Sequence, residues 1–248
     1  MPSRNKTIAK NTVILYIRMF IVTIITLYTS RVVLQTLGVS DFGIFNLAGS
    51  FISFFTVLNG AMSSSVQRFL NIELGRADKN AYANAFNTGI EIHLFLAILI
   101  LIIGESIGLY AFTKWLNIPI ERTNAAMLVY QTSLLSSLTT IIRTPFNACV
   151  VANERVSFFA YISIFETIAK LLMVVSLAYQ PYDNLEVYAL SILFINIILL
   201  LLYMYYVYMI IKGPQFKIVS YRTEIFKRMT KYSSWNFFGN VSYVFTWP

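Results

Sequence analysis

Eight ionisable side chains interrupt stretches that are otherwise apolar: Arg18, Arg31, Arg68, Arg143 and Lys170 on the basic side, Glu91, Glu105 and Glu166 on the acidic side. A charge in hydrocarbon costs about 3 kcal/mol on insertion scales, so each needs a partner, a water-filled lumen or a route to the headgroups. Five bases against three carboxylates leave the interior net cationic, and Asp41, Asp78 and Asp183 all fall in connecting segments. The chemistry this suits is anion binding, because the fixed fork of an arginine matches phosphate oxygens. Catalysis has no comparable support. A lone Cys149 and a lone His93 form no nucleophile-base pair, and no nucleotide loop or metal spacing is present, so the chain reads as a non-enzyme without cofactor or metal. Cys149 reads as a packed, inert thiol and His93 as a packed or hydrogen-bonded histidine.

The eight are not equivalent. Arg18, Arg143 and Lys170 lie well inside apolar runs and are the first choices for a cationic lumen, with a paired structural role as the other reading. Arg31 and Arg68 sit near helix ends, where the side chain can snorkel to headgroups. Glu166 and Lys170 are one helical turn apart and within pairing reach; Glu166 and Glu91 are the candidate coupling or ion-pair carboxylates. At about 100° per residue, Asn46, Ser50, Ser53, Gly60, Ser64 and Arg68 fall on one stripe, and Thr132, Ser136, Thr140, Arg143 and Asn147 on another. Pro145 inside the second stripe removes a backbone donor and should kink that helix. Asn11, Arg18 and Thr29 make a sparser line. Stripes of Ser and Thr serve more often as packing faces than as pathways, so their weight goes to packing.

The elements that carry these residues follow from composition. With 57% hydrophobic and 12% charged residues and a mean hydropathy of +0.66, 248 residues hold more apolar surface than one soluble core hides. Six runs exceed the roughly 20 residues a helix needs to cross a bilayer: about 8–37, 41–70, 87–112, 123–151, 156–179 and 185–211. A seventh begins near Ser233. The runs are too long and too continuous for a barrel, so the expectation is an all-α polytopic membrane protein. The formal charge of +8 does not indicate nucleic acid, because the basic residues gather in inter-helix segments. Twelve of them (Arg4, Lys6, Lys10, Arg76, Lys79, Arg155, Lys212, Lys217, Arg222, Lys227, Arg228, Lys231) occupy one set of alternate loops, against Lys114 and Arg122 in the other. The positive-inside rule then places the N-terminus in the cytoplasm and the short turns TLGVSD, TKWLNIPIER and QPYDNLE outside.

The segments LYTSRVVLQTLGVSDFGIFNLAGS and LNGAMSSSVQRFLNIELGRAD resemble the N-terminal signature of the Wzx-type polysaccharide-transport flippases, the O-antigen and capsule exporters of the multidrug/oligosaccharidyl-lipid/polysaccharide exporter superfamily. The likeness runs from about Asn5 to Asp78. It implies a MATE-like, two-lobed transporter of the bacterial cytoplasmic (inner) membrane. Such a protein moves an undecaprenyl-pyrophosphate-linked oligosaccharide between leaflets for surface polysaccharide, O-antigen or lipopolysaccharide biosynthesis. Residues 1–230 would be the N-terminal six-helix lobe and 231–248 the start of a truncated second lobe, the missing C-terminal lobe being a partner along with membrane lipids. The resemblance also implies cationic lumen residues for the pyrophosphate. Two other readings stand beside it. A cation-coupled multidrug exporter of the same superfamily would be expected to carry a carboxylate in its first helix, where this chain has Arg18. A polytopic glycan polymerase or glycosyltransferase would need larger outer loops.

Overall fold

The computed structural model describes residues 4–116, 118–214 and 223–246, with side chains described throughout these except at 4–8, 51–58, 223, 237–238 and 240–246. Lys217 and Arg222 of the basic linker therefore lie outside the described residues, as does the side chain of Ser53. Every regular element among the described residues is helical: α1 (Arg4–Gly75), α2 (Lys79–Ile103), α3 (Leu109–Trp115), α4 (Thr123–Ala152), α5 (Val156–Leu177), α6 (Asn184–Tyr205) and α7 (Thr223–Thr246). Single π-helical turns at Gly104–Gly108 and Tyr206–Ile210 extend α2 and α6. Among the described residues, five helical stretches are long and apolar enough to cross a membrane: Ala9–Ser50, Lys79–Trp115, Ile120–Ala152, Val156–Leu177 and Asn184–Ile210.

The first two expected spans form one helical run broken at a single residue, Gly38, with φ 76° and ψ 169°. That backbone region is essentially closed to residues with a Cβ, and Gly38 supplies it in the turn TLGVSD. The break reverses the chain. Thr26 and Asn46 line one cavity, whereas twenty residues of straight helix would hold them about 30 Å apart.

The third helix starts eight residues before the apolar run that announces it. Asp78 caps α2, its carboxylate accepting from the backbone N–H of Asn80 and Ala81 at 2.9 Å each, so the polar first turns Lys79–Asn84 become helical without being apolar. Ala77, Glu154 and Lys212 adopt positive φ (56°, 56° and 54°). Each ends a helix in the left-handed conformation that exposes the last carbonyls to capping.

The chain divides into two compact units. The first draws on Met1–Gly49, Asn117–Ser136 and Glu154–Leu199, the second on Ser50–Leu116, Ser137–Asn153 and Leu200–Pro248. In the second unit, Gly89 of α2 lies so close to α1 that an added Cβ would meet Val66 Cγ1 at 3.0 Å. Phe86 packs edge-on to Phe146 of α4, with ring centroids 5.7 Å apart.

Candidate functional site: a cavity in the first unit

Three elements of the first unit bound a cavity of about 440 Å³. Residues before Gly38 contribute Arg18, Thr26 and Thr29, residues after it contribute Phe42, Phe45 and Asn46, and α5 contributes Ser163, Glu166, Thr167 and Lys170. Tyr188 of α6 completes the wall, its ring tilted against Phe45 at 4.7 Å.

Most hydroxyls of this wall are turned into their own helices. Thr29 Oγ1 donates to the Ile25 carbonyl (2.7 Å), Ser30 Oγ to Thr26 (3.0 Å), Ser163 Oγ to Phe159 (2.7 Å) and Thr167 Oγ1 to Ser163 (2.8 Å). A hydroxyl has one proton to give, so these groups present acceptor lone pairs to the cavity. The charged donors are Arg18 and Lys170. Lys170 Nζ donates to Glu166 Oε1 at 2.6 Å, which leaves two ammonium protons for other partners. The Arg18 guanidinium lies over the Phe159 ring, 4.4 Å from its centroid, and its buried Nε has no hydrogen-bond partner among the described residues. Two cations facing one carboxylate make the cavity net positive.

The structure thus brings together Arg18, Lys170 and Glu166 and leaves the other sequence candidates elsewhere. Arg31 is exposed and absent from the lining, although its neighbours Thr29 and Ser30 are part of it. Arg68, Glu91 and Arg143 belong to the second unit. Arg143 points at the Tyr203 ring, 5.8 Å from the centroid, and Arg68 lies over Tyr232 at 4.3 Å. The long stripe on α1 divides likewise: Asn46 faces the cavity, whereas Ser64 and Arg68 line a hollow of the second unit. His93 is fully buried and its Nδ1 donates to the Gly89 carbonyl at 2.7 Å. Cys149 is a buried free thiol 3.2 Å from the Tyr82 hydroxyl.

One constellation escaped the sequence reading. Arg122 donates through Nε to Asp41 Oδ1 (2.9 Å) and through Nη2 to Asp183 Oδ1 (3.1 Å), with a further contact to the second oxygen of each carboxylate. The three come from the three turns TLGVSD, TKWLNIPIER and QPYDNLE. The Arg122 guanidinium holds the Asp183 carboxyl below the usual carboxylate range, with backbone N–H groups at Glu186 and Leu185 adding to the effect against a partial cost of burial. The aromatics Phe159 and Tyr188 were also missed. Phe159 carries a signal, since it precedes Ser163, Glu166 and Lys170 on the same face of α5 by the helical repeat; Tyr188 is one aromatic among many in an apolar run and carries none.

No family model matches the chain, and no curated protein does. Solved structures do. A multidrug resistance MATE family transporter of the MOP superfamily, in an outward-facing conformation, superposes with a TM-score of 0.78 at 14% identity, over 96% of this chain and 53% of that one. A MATE in its straight conformation gives 0.74 at 14% identity, over 96% and 53%. A MOP superfamily transporter from Pyrococcus furiosus, described as having a binding pocket of reversed polarity that suggests a different function, gives 0.72 at 14% identity, over 94% and 53%. The chain spans about half the length of these transporters. At such identity the likeness speaks for architecture, and on architecture it is plain: this all-helical chain has the fold of one half of a MATE transporter.

Proposed function

We propose that the chain is half of a membrane exporter of the multidrug/oligosaccharidyl-lipid/polysaccharide kind, acting without covalent chemistry, and that the cavity of its first unit holds part of the cargo. The N-terminus lies in the cytoplasm of a bacterial inner membrane in this reading, on the asymmetry of basic residues. Of the named cargoes, two of the solved neighbours favour multidrug export over glycolipid flipping, being MATE transporters of which one is a multidrug resistance protein. A carboxylate in the cavity wall, Glu166, is compatible with that export.

The anionic cargo retains one supporting observation. Arg18 and Lys170 converge on one cavity with a single carboxylate between them, and a cationic drug would meet two like charges there. An anionic, lipid-linked oligosaccharide would use Arg18 and the spare protons of Lys170 for its pyrophosphate. The test uses the full-length gene. Arg18→Ala and Lys170→Ala should each lower export of a lipid-linked glycan about tenfold, the loss of roughly 1.4 kcal/mol of binding, with membrane insertion unchanged. Full glycan export in both variants overturns the roles given to Arg18 and Lys170, whereas a deletion strain with normal surface glycan and heightened sensitivity to cationic drugs favours the multidrug reading.

A further inference from the structure

The second unit carries a basic groove that the cavity of the first unit does not use. It lies between the end of α1 and the start of α7. On α7 the residues Arg228, Lys231, Tyr232 and Trp235 recur at i, i+3, i+4 and i+7 and so share one face. Another side of the helix is buried: Met229 is 1% exposed, and its carbonyl accepts from Ser65 Oγ of α1 at 3.0 Å. That packing holds the basic and aromatic face open beside Arg68, Phe69 and Ile72, and the groove between them measures about 300 Å³. Arg68 lies over the Tyr232 ring at 4.3 Å and Arg228 over the Phe69 ring at 5.7 Å. A second hollow, lined by Ser64, Gln67 and Asn71, shares Arg68 and Ile72 with the first.

Three features point to the occupant. Arg68, Arg228 and Lys231 converge with no carboxylate among the described residues that line either hollow. The nearby Glu73 is engaged with Arg76 at 3.2 Å. Guanidinium groups so placed suit a phosphate. The rest of the groove is apolar or aromatic, so the group it takes has hydrocarbon attached to its phosphate. Finally, Arg68 stands seven residues from the end of α1, about 10 Å along the helix, and Trp235 is 71% exposed beside it, as an indole is at the headgroup level.

We propose that Arg68, Arg228 and Lys231, with the aromatic walls Tyr232 and Trp235, bind the phosphate headgroup of an anionic phospholipid at this end of the second unit. The site is independent of whatever the first unit carries. The experiment places the full chain, with Trp115→Phe and Trp247→Phe so that Trp235 alone fluoresces, in phosphatidylcholine nanodiscs containing spin-labelled phosphatidylglycerol or, separately, spin-labelled phosphatidylcholine. Labelled phosphatidylglycerol should quench Trp235 at a mole fraction at least fivefold lower than labelled phosphatidylcholine. The preference should vanish in R68Q/R228Q/K231Q. It should also fall in K231E, whose exposed side chain leaves folding intact, and helicity by circular dichroism verifies both variants. Equal quenching by the two lipids, or a preference unchanged in K231E, overturns the proposal. Displacement of labelled phosphatidylglycerol by millimolar inorganic pyrophosphate overturns it in favour of a soluble anion.

Discussion

Arg122 shows what a single side chain contributes when its partners are distant in sequence. Asp41 lies 81 residues before it and Asp183 61 residues after it, and all three side chains are roughly a fifth to a third exposed. Partial shielding keeps water from replacing the pairs, so Arg122→Gln should cost about 1–3 kcal/mol and lower the thermal midpoint in detergent. The pH dependence has a definite sign. Asp183 has a lowered carboxyl pKa, so its stabilisation is present in full above the ordinary carboxylate value near 4 and is lost as pH falls through the lowered one. Wild-type midpoints should therefore drop on acidification below about pH 4, and Asp183→Asn should remove much of that drop while lowering the midpoint at neutral pH. The three charges were visible in the sequence as isolated loop residues. Their meeting was not, because nothing local encodes which turn faces which. Arg18 and Lys170 were legible for the opposite reason: a charge inside an apolar run demands an explanation from composition alone.

At the scale of elements, helix content followed from apolar run length, and the boundaries departed from it where polar residues were capped into a helix, as at Asp78–Asn84. Gly38 was readable as a turn residue because so short a connection needs positive φ. Space is not what limits it, since no atom lies within 4 Å of a Cβ added there. Gly38→Val should consequently cost about 1–3 kcal/mol through backbone strain alone, and no partner substitution should rescue it. Gly89 is the contrasting case. A Cβ there strikes Val66 at 3.0 and 3.1 Å, so Gly89→Ala should destabilise by about 1–3 kcal/mol through overpacking, and Val66→Ala should recover part of that loss. A double-mutant cycle on thermal midpoints separates the two mechanisms. The α1 stripe shows the limit of rotation arithmetic: it aligns residues on one helix, yet Asn46 and Arg68 fall in different units.

For the whole molecule, the testable property is orientation across the membrane. Val39, in the turn after Gly38, is 81% exposed, whereas the native thiol of Cys149 is fully buried, so a Cys149→Ser background offers single engineered thiols for labelling. Val39→Cys should react with a membrane-impermeant maleimide in intact cells, and Lys79→Cys only after permeabilisation. The reverse pattern would invert the orientation inferred from twelve basic residues against two. The architecture itself was accessible from the sequence because lipid leaves the backbone few options. The proposed cargo was not, since one cavity's charge balance is compatible with more than one amphiphile.

The three-turn clamp also has a history within each molecule. Asp41 is synthesised first, Arg122 follows, and Asp183 comes last, so the network cannot close until α6 begins to emerge. Before that point Arg122 has only Asp41 as its partner and the pair is neutral; Asp183 then brings the cluster to one net negative charge. Completion of the clamp therefore joins the last of the three turns to the two made before it, while most of α6, which the first unit draws on up to Leu199, is still to be synthesised.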